Sequence, residues 1–310
     1  MHNGSKSTLI KTKALELGFS LCGIAPVRKL KAEEKALKAY LANCYHGEMK
    51  YMANHFDKRL DPSLLVPGAK SMVLVLLNYF PRNLQQGSNA PKIAKYAYGT
   101  DYHYVIKDKL KALLRFINEH IAPANGRVFT DSAPVLERAW AVQAGLGWIG
   151  KNGLLINRQM GSFFLIGELI IDLELEYDEP YYDEHCGSCN QCLNACPTHA
   201  LVEPYVLDAR KCISYLTIEL KAEIPETFRP MLSQRIFGCD ICQDVCPWNR
   251  KVHPTSEPAF SPHPEMLQLY REAWMNLSKN AFNELFRKSA LKRAGYQKIM
   301  QNISYLYEKC

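Results

Sequence analysis

Eight of the eleven cysteines in this 310-residue chain fall between Cys186 and Cys246. The run HCGSCNQCLNACP sets Cys186, Cys189, Cys192 and Cys196 at the Cys-x2-Cys-x2-Cys-x3-Cys-Pro spacing of bacterial ferredoxins. In that pattern three close thiolates hold one 4Fe-4S cluster and the fourth reaches across to another. A second set follows, Cys212 and then Cys239-x2-Cys242-x3-Cys246-Pro247. Exchange of the fourth cysteine from both sides assigns Cys186, Cys189, Cys192 and Cys246 to one cluster, and Cys196, Cys212, Cys239 and Cys242 to the other. Tetrahedral zinc and disulfides are the rival uses of paired cysteines. Zinc has no use for three cysteines at consecutive x2 spacing closed by Cys-Pro. Two adjacent clusters pass electrons one at a time, so the chain needs an acceptor.

The densest stretch of candidate residues outside the cysteines is FTDSAPVLERAWAVQAGLGWIGKNGLLI, residues 129–156. Asp131 stands at a strand end before a helix, where its carboxylate either caps the helix amides or projects into a cleft. Gly145, Gly147 and Gly150 suit turns. No GxGxxG follows a strand, and there is no phosphate loop. Asp101-x-His103 opens the Asp-x-His-x-x-Gly pattern of proteins that ligate cobalamin cobalt through histidine, but Ile106 occupies the glycine position and excludes that mode.

The elements that must position these groups follow from periodicity. Residues 5–17 and 31–43 read as helices, LCGIAPV (21–27) as a short buried strand, and SMVLVLLNYF as a strand buried on both faces. A helix over 103–120, a strand over Arg127–Thr130, a helix from Pro134 and a long strand in SFFLIGELIIDLEL (162–175) complete an α/β domain over residues 1–178. The acidic, tyrosine-rich EYDEPYYDEH leads into a ferredoxin-like segment, 179–255, and the remainder, 256–310, is mainly helical. There Phe282, Leu285, Phe286, Leu291, Ile299 and Ile303 alternate with Arg287, Lys288, Lys292, Arg293 and Lys298, a pattern that fits a solvated helix face or a binding surface. Cys22 and Cys44 read as small buried apolar residues, and Cys310 as unpaired.

Composition is that of an ordinary globular chain, 47% hydrophobic and 22% charged, with net charge +7 that permits an anionic partner. No segment approaches the ~20 apolar residues of a membrane helix, and the N-terminus has no apolar run of signal length, so a cytoplasmic protein is expected.

DSAPVLERAWAVQAGLGWIGKNGLLI, KRLDPSLLVPGAKS, YGTDYH and the spacing HCGSCNQCLNACPTHAL, KCISYLT, IFGCDICQDVCPWN together resemble the epoxyqueuosine reductases, cobalamin-dependent iron-sulfur enzymes that complete queuosine in tRNA. The likeness runs from Gly18 to Tyr305. Many members continue into a longer C-terminal helical-repeat domain, which here is a short remnant after Pro254. The resemblance implies a nitroreductase-like N-terminal domain of mixed α+β and α/β character, a ferredoxin-like domain with two clusters, and cobalamin between them with its lower base detached. It implies that Asp131 is the proton donor, and that Arg59, Lys151, Asn152, Ser214 and Asp240, with Asp131, line the corrinoid pocket. It also implies reduction of epoxyqueuosine to queuosine at the wobble position, the last step of that synthesis.

The implied partner is the anticodon stem-loop of tRNA, whose wobble base lies in a single-stranded loop and splays out at modest cost. Lys221, Arg250, Lys251, Arg287, Lys288, Lys292 and Arg293 are the cations expected along its phosphates. The enzyme would be a monomer, fed by an external low-potential donor such as flavodoxin or ferredoxin. A dicluster electron carrier without substrate, a reductive dehalogenase-like enzyme and a zinc-knuckle RNA-binding protein are the rival readings; bound corrinoid and metal content separate them.

Overall fold

The apolar runs of the first half build one sheet. In the computed structural model, which describes residues 4–87 and 89–307, the strands lie in the order Leu21–Pro26, Ser71–Asn78, Phe164–Ile171, Gly126–Phe129, and every neighbouring pair is antiparallel. Successive side chains of a strand point to opposite faces. Val73, Val75 and Leu77 therefore pack under helices Lys6–Glu16 and Tyr102–His120, while Met72, Leu74 and Leu76 pack under Lys31–Ala42 and Glu137–Gln143. Both faces are covered, which is why the run from Met72 to Leu77 is apolar throughout.

Gly167, in the central strand, lets helix Tyr102–His120 come very close: a Cβ there would stand 2.5 Å from Ile106 Cγ2. That approach sets the first turn of the helix, with Tyr102 and His103, beside the exit of strand Gly126–Phe129, where Asp131 follows.

Three local expectations are corrected. The helix expected from Pro134 begins at Glu137, because Asp131 takes a left-handed φ of 56° and residues 130–135 fold into tight turns. The basic C-terminal segment is two helices, Lys279–Leu285 and Leu291–Tyr307, and the second is broken at Gly295 with φ 81° and ψ 158°. Cys44 is exposed at φ 53°, in a turn rather than a core. Cys22 is part-buried, and burial pushes its thiol up to about 12. Cys310 lies outside the described residues.

Helices Gln191–Ala195 and Ile241–Asp244, which carry Cys192 and Cys242, pack against each other. The C-terminal helices do not form a separate body. Trp274, Phe282, Phe286, Ile299 and Ile303 share one core with Ile93, Ala97 and Tyr98 of the first half and with Ile236 and Phe237 beside the second cysteine set. Strand Arg235–Phe237 pairs with Lys92–Ile93 in the same region. No helix among the described residues is long and apolar enough to cross a membrane.

Candidate active site

The two cysteine sets meet in space. Burial dominates the environment of the Cys186, Cys192, Cys212, Cys239, Cys242 and Cys246 thiols, and beyond it the cysteines act on one another in two groups. Cys246 feels Cys186 and Cys189, and Cys192 feels Cys186 and Cys246. Cys212 feels Cys196, Cys239 feels Cys212, and Cys242 feels Cys239 and Cys212. Cys242 also feels Cys192, so the two cradles adjoin.

Backbone amides point at the sulfurs. Ala200 N–H donates to Cys196 Sγ at 3.3 Å, those of Ser214 and Tyr215 reach Cys212, and that of Lys151 reaches Cys186. Such donors stabilise thiolates bound to a cluster and tune its potential. Among the described residues no three His, Cys, Asp or Glu side chains converge on a single ion. The donor set and its amides fit two four-thiol cradles.

An open cleft of about 1430 Å³, counted with the solvent at its mouth, separates the sheet domain from the second cradle. Cys196, Cys212, Cys239 and Cys242 all line one wall. Tyr79, Tyr96, Tyr102, Leu155, Phe164 and Ile166 line the same cleft, with Asp131 among them. Broad apolar walls with a few polar groups suit a large flat ligand. The residues present therefore fit a corrinoid placed between the acid and the cluster.

Asp131 is the end of a relay. Its left-handed backbone turns the carboxylate away from the following helix, so it caps nothing. Instead Tyr102 Oη donates to Asp131 Oδ2, and His103 Nε2 stands 3.5 Å from the same oxygen. His103 Nδ1 lies 2.8 Å from Asp101 Oδ1, and Arg293 Nε lies 3.2 Å from Asp101 Oδ2. The Arg293 guanidinium also covers the Tyr102 ring, 5.8 Å from its centroid. Both His103 nitrogens are engaged, which leaves neither for cobalt.

These contacts decide the charges. Burial pushes Asp131 up, but hydrogen bonds from His103 and Tyr102 outweigh it and hold the carboxyl below its ordinary value. His103 is pushed down by burial and by Arg293, whose Nη1 lies 3.4 Å from Nε2, and raised by Asp101 and Asp131, with a net rise. Asp131, 56% exposed, is thus held toward its carboxylate form, beside an imidazole held toward its protonated form.

The remaining expected residues scatter. Asn152, Ser214 and Asp240 line the cleft with Asp131. Asn152 is buried, its Oδ1 accepting from Leu154 N–H at 3.2 Å, and Asp240 Oδ2 accepts Lys95 N–H at 2.8 Å. Lys151 points elsewhere, its Nζ donating to Gly187 O at 2.6 Å and Asn190 Oδ1 at 3.1 Å in the loop of the first cysteine set. Arg59 is buried behind Tyr51, to whose carbonyl it donates at 2.5 Å, and its Nε has no partner.

Of the expected tRNA cations, Arg287, Lys288 and Lys292 are exposed around the turn whose Lys288 carbonyl accepts Asp101 N–H. Arg293 belongs to the relay. Lys221 is exposed on the facing side, two residues past Glu219, which feels Asp131. Arg250 and Lys251 are exposed beyond Cys246, beside the first cradle. Tyr102, His103, Glu137 and Glu168 were missed as site residues. The signals were Asp101-x-His103 itself and a lone carboxylate in FLIGELII.

Residues 185–249 match the model of a family described as a 4Fe-4S double cluster binding domain, and residues 59–132 that of epoxyqueuosine reductase QueG, DUF1730. The epoxyqueuosine reductase of Cellulophaga algicola is 54% identical over 97% of both chains. A crystal structure of epoxyqueuosine reductase with an epoxyqueuosine-modified tRNA-Tyr stem loop superposes with TM-score 0.89 at 29% identity, over 96% of this chain and 80% of that one. The Bacillus subtilis enzyme, with its catalytic aspartate loop swung out of the active site, gives TM-score 0.87 at 29% identity over 96% and 80% of the two chains. The chain thus carries a two-cluster cysteine framework beside an acid-lined cleft, and it belongs to the epoxyqueuosine reductase family.

Proposed function

We propose that this chain reduces epoxyqueuosine to queuosine at the wobble position of tRNA, with Asp131 as the proton donor. The observation that carries the reading is the cleft: Asp131 and the four thiols of Cys196, Cys212, Cys239 and Cys242 line the same cavity. The grouping of Cys186, Cys189, Cys192 and Cys246 as one cluster and Cys196, Cys212, Cys239 and Cys242 as the second is supported by the mutual influence of their thiols. When bound, the clusters would supply single electrons and a corrinoid in the cleft a strongly reducing cobalt.

The chain's own residues do the rest. Tyr79, Tyr96, Phe164 and Ile166 exclude water from the cleft wall, and Asn152, Ser214 and Asp240 offer polar contacts at its margin. Opening an epoxide builds charge on oxygen, which an acid must quench. The His103 imidazolium holds the proton that Asp131 carries to that oxygen, while Asp101 and Arg293 hold the imidazole in place. Tyr102 fixes the carboxylate from the other side.

The stem-loop is read as crossing the exposed cations Lys288, Lys292, Arg287 and Lys221, with Arg250 and Lys251 farther along. A low-potential flavodoxin or ferredoxin in the cytoplasm supplies electrons to a monomer. Asp131→Asn keeps the shape and removes the acid, so queuosine formation measured by mass of the digested stem-loop should fall by ~100-fold to 10,000-fold with cluster absorbance intact. Near-normal turnover of this variant would refute the role.

A further inference from the structure

Strand FLIGELII carries one charged side chain, Glu168, which is 1% exposed in the central strand of the sheet. Its register partners are Leu74 on one side and Phe129 on the other. It shares its face with Ile166 and Ile170, packed with Trp140 and Leu74, and its Oε1 has no hydrogen-bond partner. A carboxyl in such a place costs stability that an aliphatic side chain would not. Local rules are broken this way mostly where a site needs the group.

Glu137, the first residue of helix Glu137–Gln143, meets it. After burial, Glu137 is the largest influence on Glu168, so the two carboxyls adjoin; Glu137 lines the cleft, and its Oε2 accepts the backbone N–H of Asp131 at 3.3 Å. Two adjoining carboxyls in an apolar site cannot both ionise, so one proton stays with the pair. The charged groups facing the pair are Asp131 from the loop, Arg138 from the same helix and His103 from helix Tyr102–His120. Arg138 lowers the Glu137 carboxyl, but burial and the charge of Asp131 outweigh it, and its guanidinium donates to Gly153 O rather than to either carboxyl.

We propose that Glu137 and Glu168 form a proton-sharing dyad that props the Asp131 loop and reloads Asp131 with the second proton of the reaction. The inference rests on the epoxyqueuosine reductase reading. Converting an epoxide to an alkene breaks two C–O bonds, takes two electrons from the low-potential donor, and takes two protons as the oxygen leaves as water. Asp131 passes the first proton, drawn from His103, to the oxygen as the first C–O bond breaks, and is again a carboxylate. Glu137, which lines the cleft with Asp131, returns the dyad's proton to it, and Asp131 passes this one to the oxygen as the second bond breaks. Solvent refills the dyad. Burial, then the charge of Asp131, pushes Glu137 up to about 7, and burial, then Glu137 and Asp131, pushes Glu168 well above the carboxylate range. Glu137 and Glu168 are positioning residues, acting through Asp131.

The test combines infrared spectroscopy and kinetics on the anaerobically purified holoprotein. A protonated-carboxyl band at neutral pH should be present in the wild type and lost in Glu168→Gln. Both Glu168→Gln and Glu137→Gln should lower kcat for the modified stem-loop about tenfold or more, with KM unchanged and the alkaline limb moved to lower pH. Glutamine keeps shape and hydrogen bonding, so a merely structural role would leave rate and pH profile as in the wild type, and that result would overturn the proposal. So would absence of the band from the wild type. If Glu168→Gln does not fold, the half-buried Glu137→Gln decides by the same kinetics. A wild type that shows the band but never converts epoxyqueuosine refutes the functional reading and leaves the dyad standing as a proton store.

Discussion

His103→Gln should uncouple Asp131 from its proton source. Their interaction at 3.5 Å corresponds to about 1.2 kcal/mol at the dielectric constant of water and about 4.7 kcal/mol at an effective value of 20. The Asp131 carboxylate is 56% exposed, so screening places the coupling near the lower end, about 1–2 kcal/mol. That is roughly a 5-fold to 30-fold change in an equilibrium or a rate. His103 is raised in the folded protein, so its stabilising contribution is fully present below its ordinary value of about 6.5 and is lost as pH rises through the folded value. Asp131 is lowered, so its contribution is present above about 3.9 and is lost as pH falls through the folded value. Between those limits both charges exist and the proton stands ready on the imidazole. Turnover of the modified stem-loop should therefore fall on the alkaline side as His103 deprotonates. In His103→Gln the rate should drop about 5-fold to 30-fold and lose that dependence on the imidazole, with cluster absorbance and stem-loop affinity unchanged. A variant with the wild-type rate and the same alkaline limb would show that the imidazole neither stores nor passes the proton.

Cys246→Ala should damage the cluster held by Cys186, Cys189 and Cys192 despite its distance along the chain; electron paramagnetic resonance of the reduced protein that shows only the Cys239 and Cys242 cluster disturbed would break the grouping. Stem-loop affinity should fall with salt, and Lys288→Ala/Lys292→Ala should flatten the logarithmic slope by about 1.4, at ~0.7 per lost phosphate contact on a single strand. Arg293→Ala should instead cut turnover, because its guanidinium is spent on Asp101 and Tyr102. Slopes unchanged in the double variant would remove that turn from the RNA surface.

Much of this protein was legible in one dimension. Cluster cysteines sit in short local runs because a cubane is chelated from a tight loop, so spacing alone states the chemistry of Cys186, Cys189, Cys192 and Cys196. Buried strands and amphipathic helices announce themselves by period, and SMVLVLLN and the helix at Tyr102–His120 were found that way. The backbone at Asp131 was not legible, since a left-handed turn depends on what the surrounding loop encloses, and it moved the helix start from Pro134 to Glu137. Charge at the site was decided by tertiary contact alone. Asp101, His103, Asp131 and Arg293 are separated by up to 192 positions, yet they form one relay that holds the acid ionised. Arg293 reads in sequence as one cation on a solvated face, and Lys151 as a neighbour of Asn152. In the fold the first joins Asp101 and the second the loop of the first cysteine set, because a long side chain goes to the partner within its reach, and only packing brings that partner near.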